Sequence, residues 1–171
     1  IQKVNPQFTA YLRGLKADFI KKPQSFKDAF YNASSLTEEQ TLEMLTFGNG
    51  PKLIIKNLDV ERSGSENAKE VNGRTFSSQN KTTREFTNEN NGQGLIAIDD
   101  DIINYFERAS TLGEKLTGEL LLESTLYHEG THFGNIKVNS SPHGLHVESG
   151  KIFEQDVYGQ DVTRSNAASL M

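Results

Sequence analysis

Ser124-Thr125-Leu126-Tyr127-His128-Glu129-Gly130-Thr131-His132-Phe133 reads H-E-x-x-H within an apolar helical pattern. On a helix, residues four apart share a face, so the imidazoles of His128 and His132 can hold one metal between them. Glu129 lies one step round from His128, close enough to take a proton from a water held by that metal. By chance, this spacing arises roughly once in a hundred chains of such composition. The competing account is a helix with two solvated histidines flanking a glutamate. The surroundings disfavour it: residues 125–127 and 130–131 carry no charge, and a charged neighbour on a buried helix would be costly and would disturb the metal's electrostatics.

The helix starts near Leu112 or Gly113. Leu122, Leu126 and Phe133 form one apolar stripe, Leu116, Leu120 and Tyr127 a second, and Leu121 leads a third that carries the two histidines. Apolar residues on several sides predict a central, mostly buried helix, with Gly134 as its stop. Before it, Gly94-Leu95-Ile96-Ala97-Ile98-Asp99 reads as a buried strand. Asp100 and Asp101 are expected to cap a helix bearing Ile102, Ile103, Tyr105 and Phe106. The three consecutive aspartates lack the alternation and closing Glu of an EF-hand, so capping explains them better than a cation site.

Leu53-Ile54-Ile55 predicts a second buried strand. Residues 59–93 form a polar excursion in which Val71, Phe76 and Phe86 are almost the only large apolar side chains. Strands around 74–76 and 84–86 would make a hairpin there, with a mobile loop as the alternative. Residues 1–33 carry a helical pattern broken at Pro23. Ser35 and Glu38 resemble a capping box for a helix to about Phe47, stopped by Gly48-Asn49-Gly50-Pro51. After the central helix come a loop over 135–147, a helical pattern from about Glu148 to Val162, and a tail, Thr163–Met171, expected to fray.

These elements describe an α+β chain, mainly helical with a few short strands. Its 171 residues suit one domain, 1–171. A mean hydropathy of −0.58 reflects the polar excursion. A net charge of −5 with no basic block argues against nucleic acid or an anionic membrane as partner. Without cysteine, neither a disulfide framework nor a thiolate zinc site can form. No apolar run approaches the ~18 residues that span a membrane, and no signal-like segment follows Ile1.

A catalytic Zn2+ takes three protein ligands and keeps one position for water. A metzincin-like ligand six residues past the second histidine would fall on Val138, which excludes that class. His143, His146, Glu148, Glu154, Asp156 and Asp161 remain. Gly150, Glu154, Tyr158 and Asp161 share one helical face, and the glycine lets that face approach the first helix closely. Glu154 is therefore the favoured third ligand, with a loop histidine, His146 before His143, or Glu148 as alternatives. Tyr158 is placed to donate to the oxyanion of a tetrahedral intermediate, and Asp161 to orient a ligand histidine if the helix continues past Gly159.

His128-Glu129-x-x-His132-Phe133-Gly134 followed by Gly150-x-x-Phe153-Glu154-x-x-x-Tyr158-Gly159 resembles the zincin-like metallopeptidase domains at the C-termini of bacterial polymorphic and secretion-system toxins. The resemblance covers about residues 124–160, with looser support from the 95–99 strand and the helix after it. It implies His128 and His132 as zinc ligands, Glu129 as general base and Glu154 as third ligand. It also implies a zincin-like fold with a small mixed sheet whose edge strand aligns an extended substrate, for which Gly94–Ile98 is the candidate. Such a domain is the tail of a larger secreted protein, delivered into a target cell and neutralised by an immunity partner; the start at Ile1 suits an excised tail. The activity expected is zinc-dependent hydrolysis of peptide bonds. Its rivals are cleavage of peptidoglycan cross-links by the same chemistry, and a non-catalytic interaction module with a structural metal or none. A purely structural metal has no need of a base at Glu129.

Overall fold

The computed structural model describes residues 5–58, 71–76, 94–139 and 148–171. Three helices open the chain: α1 (Pro6–Lys21), α2 (Gln24–Ser34) and α3 (Glu38–Met44). Pro23 separates the first two because it has no N–H to continue α1 and its ring disfavours a helical conformation before it. The capping box lies two residues later than expected. Thr37 accepts from the Gln40 N–H while the Gln40 side chain accepts from the Thr37 N–H. Ser35, the expected cap, instead ends α2 at φ 61°. After α3 the chain turns, and the helix stops short of Phe47.

Among the described residues three strands follow: β1 (Lys52–Lys56), β2 (Gly73–Phe76) and β3 (Leu95–Asp99), in the order β1-β3-β2. β1 runs parallel to β3 and β2 antiparallel to it. The sheet is therefore small and mixed, as expected, but β3 is its centre. The expectation that Gly94–Ile98 forms the edge is overturned: both sides of β3 are paired, and all five of its residues are buried. Its side chains alternate, as the pleat requires. Ile96 and Ile98 enter the main helical core, while Leu95 and Ala97 join Leu58 and Phe76 on the other face. The expected strand at 84–86, and the hairpin with it, lies outside the described residues.

Asp99 ends β3 and caps α4 (Asp100–Arg108), its carboxylate accepting from the Asp101 N–H. The cap is thus one residue earlier than expected, with Asp100 and Asp101 in the first turn. Asp99 also accepts from the Leu58 N–H at 2.9 Å and from Arg164 at 2.6 Å. Its oxygens serve backbone and guanidinium, which agrees with capping.

α5 (Leu112–Asn139) is the axis of the molecule. Its start is tied by Glu114, whose carboxylate accepts from Ser110 and Thr111 N–H groups and is held at about 2 by those bonds. Tyr127 on α5 is surrounded by Phe19, Phe26 and Phe30 from the first two helices and by Phe153 from α6 (Ser149–Tyr158), with ring centroids 5.1–5.9 Å from its own. The contacts with Phe26 and Phe30 are edge-to-face, an arrangement that adds to simple area burial.

Gly134 does not stop α5, which runs five residues further. A Cβ there would stand 2.5 Å from the Ser34 carbonyl oxygen and 2.8 Å from Leu36 Cγ. The glycine lets the end of α2 press onto α5, where the Asn135 side-chain amide donates to the Ala33 carbonyl at 2.7 Å. Gly134→Ala is therefore expected to destabilise the fold by about 1–3 kcal/mol through overpacking, read as a lower urea midpoint at unchanged slope.

α6 ends at Gly159, which adopts φ 77°, so the last helix is shorter than the pattern to Val162. The tail is docked rather than frayed. Val162 and Ala167 are buried in the main core, a 3-10 turn forms at Ala167–Ser169, and Arg164 bridges Asp99 and Asp101.

Candidate metal centre

α5 contributes three side chains to the centre. His128 and His132 stand one turn apart with ring centroids separated by 5.1 Å, and Glu129 is almost fully buried beside them. The strand next to Glu129 is β2. The Thr75 hydroxyl lies 2.7 Å from Glu129 Oε2 and 2.9 Å from the Glu129 carbonyl oxygen, which fixes the carboxylate against the sheet. Gly73 makes the approach possible, since a Cβ there would come within 2.7 Å of Glu129 Cγ and 2.8 Å of the Thr125 methyl.

α6 closes the other side. At Gly150 a Cβ would fall 2.3 Å from the His128 ring, so this glycine permits the close approach expected of it. The carboxylate that meets the imidazoles at Nε2 belongs to Glu148. Its Oε1 is 2.9 Å from His132 Nε2 and 3.6 Å from His128 Nε2. Glu148 occupies the N-cap of α6 yet makes no side-chain capping bond, an unusual use of a position that normally satisfies helix N–H groups.

Glu154 is placed differently from the expectation. Its Oε2 stands 3.5 Å from Nδ1 of His128, the nitrogen on the far side of the ring from Glu148. It touches His128 as a carboxylate that orients a ligand does. Tyr158 does not line this cavity. Its hydroxyl donates to Glu123 at 3.2 Å, and burial, reinforced by the Glu123 charge, pushes the phenol well above its ordinary value. Asp161 lies past the helix end and pairs with Lys151 at 3.1 Å. His143 and His146 are outside the described residues.

The donor set fits a zinc ion. Two ligands ~2.0–2.1 Å from a tetrahedral zinc stand about 3.3–3.4 Å apart; the distances of 2.9 and 3.6 Å bracket that value. Among the described residues, the three ligand atoms of His128, His132 and Glu148 lie within 4.8 Å of one another. Electrostatics agree. Burial alone would push the His128 imidazole down, but the Glu154 bond and the charges of Glu129, Glu154 and Glu148 raise it to about 9. Carboxylates that hold a proton there equally favour a divalent cation.

The centre opens into a cavity of about 650 Å³ bounded by β2, α5, α6 and the segment after α6. Thr75, Ser149 and Thr131 escaped the sequence reading: Thr75 reaches Glu129 only through strand placement. Ser149, directly before Gly150, is 3.3 Å from His132 Nδ1 and 3.1 Å from the Thr131 hydroxyl. A serine in the first turn of a helix is too common to single out.

No curated protein and no solved structure matches the chain. A family model does, and it takes in the amino-terminal helices as well as the centre. The family described as Metallopeptidase toxin 3 matches residues 1–159, and the chain belongs to that family.

Proposed function

We propose that this metallopeptidase toxin domain is a zinc-dependent peptidase of zincin-like fold whose metal is held by His128, His132 and Glu148. The observation that carries the reading is the convergence of both Nε2 atoms on Glu148 Oε1. Glu148 thereby takes the ligand role first expected of Glu154. Glu154 becomes the partner that holds Nδ1–H of His128 and leaves Nε2 for the metal.

His128, His132 and Glu148 would hold the zinc, which would supply Lewis acidity to lower the pKa of a water toward 7 and to polarise the scissile carbonyl. Glu129 accepts the water's proton and passes it to the leaving amine. The Thr75 hydroxyl keeps the Glu129 carboxylate in one orientation, so little reorganisation is needed during the transfer. Because β2 is the strand beside Glu129, we assign to it the alignment of an extended substrate. Tyr158, committed to Glu123, serves to hold α6 against α5. The family membership supports delivery into a target cell and a cognate immunity protein in the producer.

The test incubates the purified full chain with casein and with peptidoglycan sacculi, each with and without chelator. Casein cleavage that chelator abolishes and zinc restores is expected. Cleavage of sacculi alone would move the substrate to peptidoglycan cross-links. No cleavage of either by zinc-loaded protein would contradict the peptidase reading.

A further inference from the structure

Across the sheet from β2 and Glu129 lies β1. The Lys52 N–H donates to the Gly94 carbonyl at 3.1 Å, and Ile54 and Lys56 share its parity against β3. In a parallel ladder alternate residues bond to the same neighbour. The N–H and C=O groups of Leu53 and Ile55 therefore point to the other side, where no strand pairs with them among the described residues.

A cavity of about 400 Å³ lies beside the start of β1. Leu12 of α1, Met44 of α3, Phe47, Leu53 of β1 and Leu126 of α5 line it. Its size suits a large apolar group, and it shares no lining residue with the cavity at the metal centre. Among the described residues, the one charged side chain that lines it is the exposed Lys52. The Arg13 guanidinium stands 5.3 Å from the ring centre of the half-exposed Phe47. Neither cation is in an ion pair among the described residues. The mouth is thus basic in a chain of net charge −5. Lys16 belongs to a separate hollow, with Glu38, Glu39 and Glu43.

We propose that the outer side of β1 and this cavity form a docking site for an extended segment of a partner protein, one that carries acidic residues around a large apolar side chain. The segment pairs with the outward groups of Leu53 and Ile55 and seats its apolar side chain in the cavity. Main-chain pairing supplies affinity in this mode, and the pocket supplies specificity. Lys52 and Arg13 select acidic neighbours. A lipid headgroup has no row of amides to answer the strand. A second copy is disfavoured, because full antiparallel overlap of two β1 strands sets Lys52 opposite Lys56, and like charges facing each other destabilise a ladder.

The test selects binders to the full chain from random short peptides displayed on phage, then reads amide hydrogen exchange with a selected peptide bound. Peptides with acidic residues flanking a large apolar one are expected, with exchange slowed at Leu53 and Ile55. Lys52→Glu, an exposed substitution that leaves the ladder bonds in place, is expected to weaken binding by about 3–10-fold, and less at high salt. No enriched peptide, protection at Gly73 and Thr75 of β2 instead, or unchanged affinity in Lys52→Glu would each overturn the proposal. Two further measurements address the other occupants. Sedimentation with phosphatidylglycerol vesicles is expected to leave the chain in solution; vesicle binding lost in Lys52→Glu would assign the mouth to a lipid surface. Size-exclusion chromatography is expected to show no dimer; a dimer with Leu53 and Ile55 protected would assign β1 to self-pairing. Either result would overturn the peptide partner.

Discussion

Glu129→Gln is expected to lower kcat/KM by about 100-fold or more, the scale of a lost general base, while the protein still binds one zinc. The amide cannot accept the water's proton, yet it retains an oxygen to accept from Thr75, now 2.7 Å from Glu129 Oε2. The substitution is nearly isosteric in a place where space matters, since Gly73 has no Cβ because Glu129 fills the room. Stability should therefore be close to wild type, and the loss should sit in kcat. Full hydrolysis by the variant would remove Glu129 from the chemistry.

Glu148→Ala and Glu154→Gln are expected to part company in zinc binding. In the proposed centre, removing Glu148 takes away one of three protein ligands, and the variant should be isolated with little or no zinc by elemental analysis. Glu154→Gln leaves all three ligands and loses only the charged partner of His128 Nδ1. Its zinc dissociation constant should rise by about 10–100-fold, with excess zinc recovering occupancy. The opposite ranking, with Glu154→Gln devoid of zinc and Glu148→Ala fully loaded, would return the ligand role to Glu154.

The central helix was legible because its evidence is local. The His-Glu-His spacing and the apolar stripes lie within one element, and period 3.6 fixes their faces. β1, β2 and β3 were legible as short apolar or alternating runs, but their order was not. Strand order is a tertiary fact: among the described residues it puts β3 between β1 and β2, and β2 beside Glu129. The placement of Glu148, named only as an alternative, beside both Nε2 atoms was hard to read for a definite reason. A helical wheel ranks side chains within a helix, and Glu148 lies just outside, at the N-cap with φ −154° and ψ 84°. Its direction is set by the cap conformation. Gly134 misled in a related way: read locally, a glycine near a helix end is a stop, whereas here it admits the Ser34 backbone. The docked tail depends on the Arg164–Asp99 pair, 65 residues apart in the chain, which no local pattern announces. The sequence resemblance likewise covered only about residues 124–160, whereas the family match extends from residue 1 to 159.

Anomalous scattering at the zinc edge, from crystals of the zinc-loaded full chain, tests the centre most directly. A single peak about 2.0–2.2 Å from His128 Nε2, His132 Nε2 and a Glu148 oxygen is expected, with Glu154 on Nδ1 of His128. No peak at this position, or a peak bound by Glu154 with Glu148 turned away, would contradict the account.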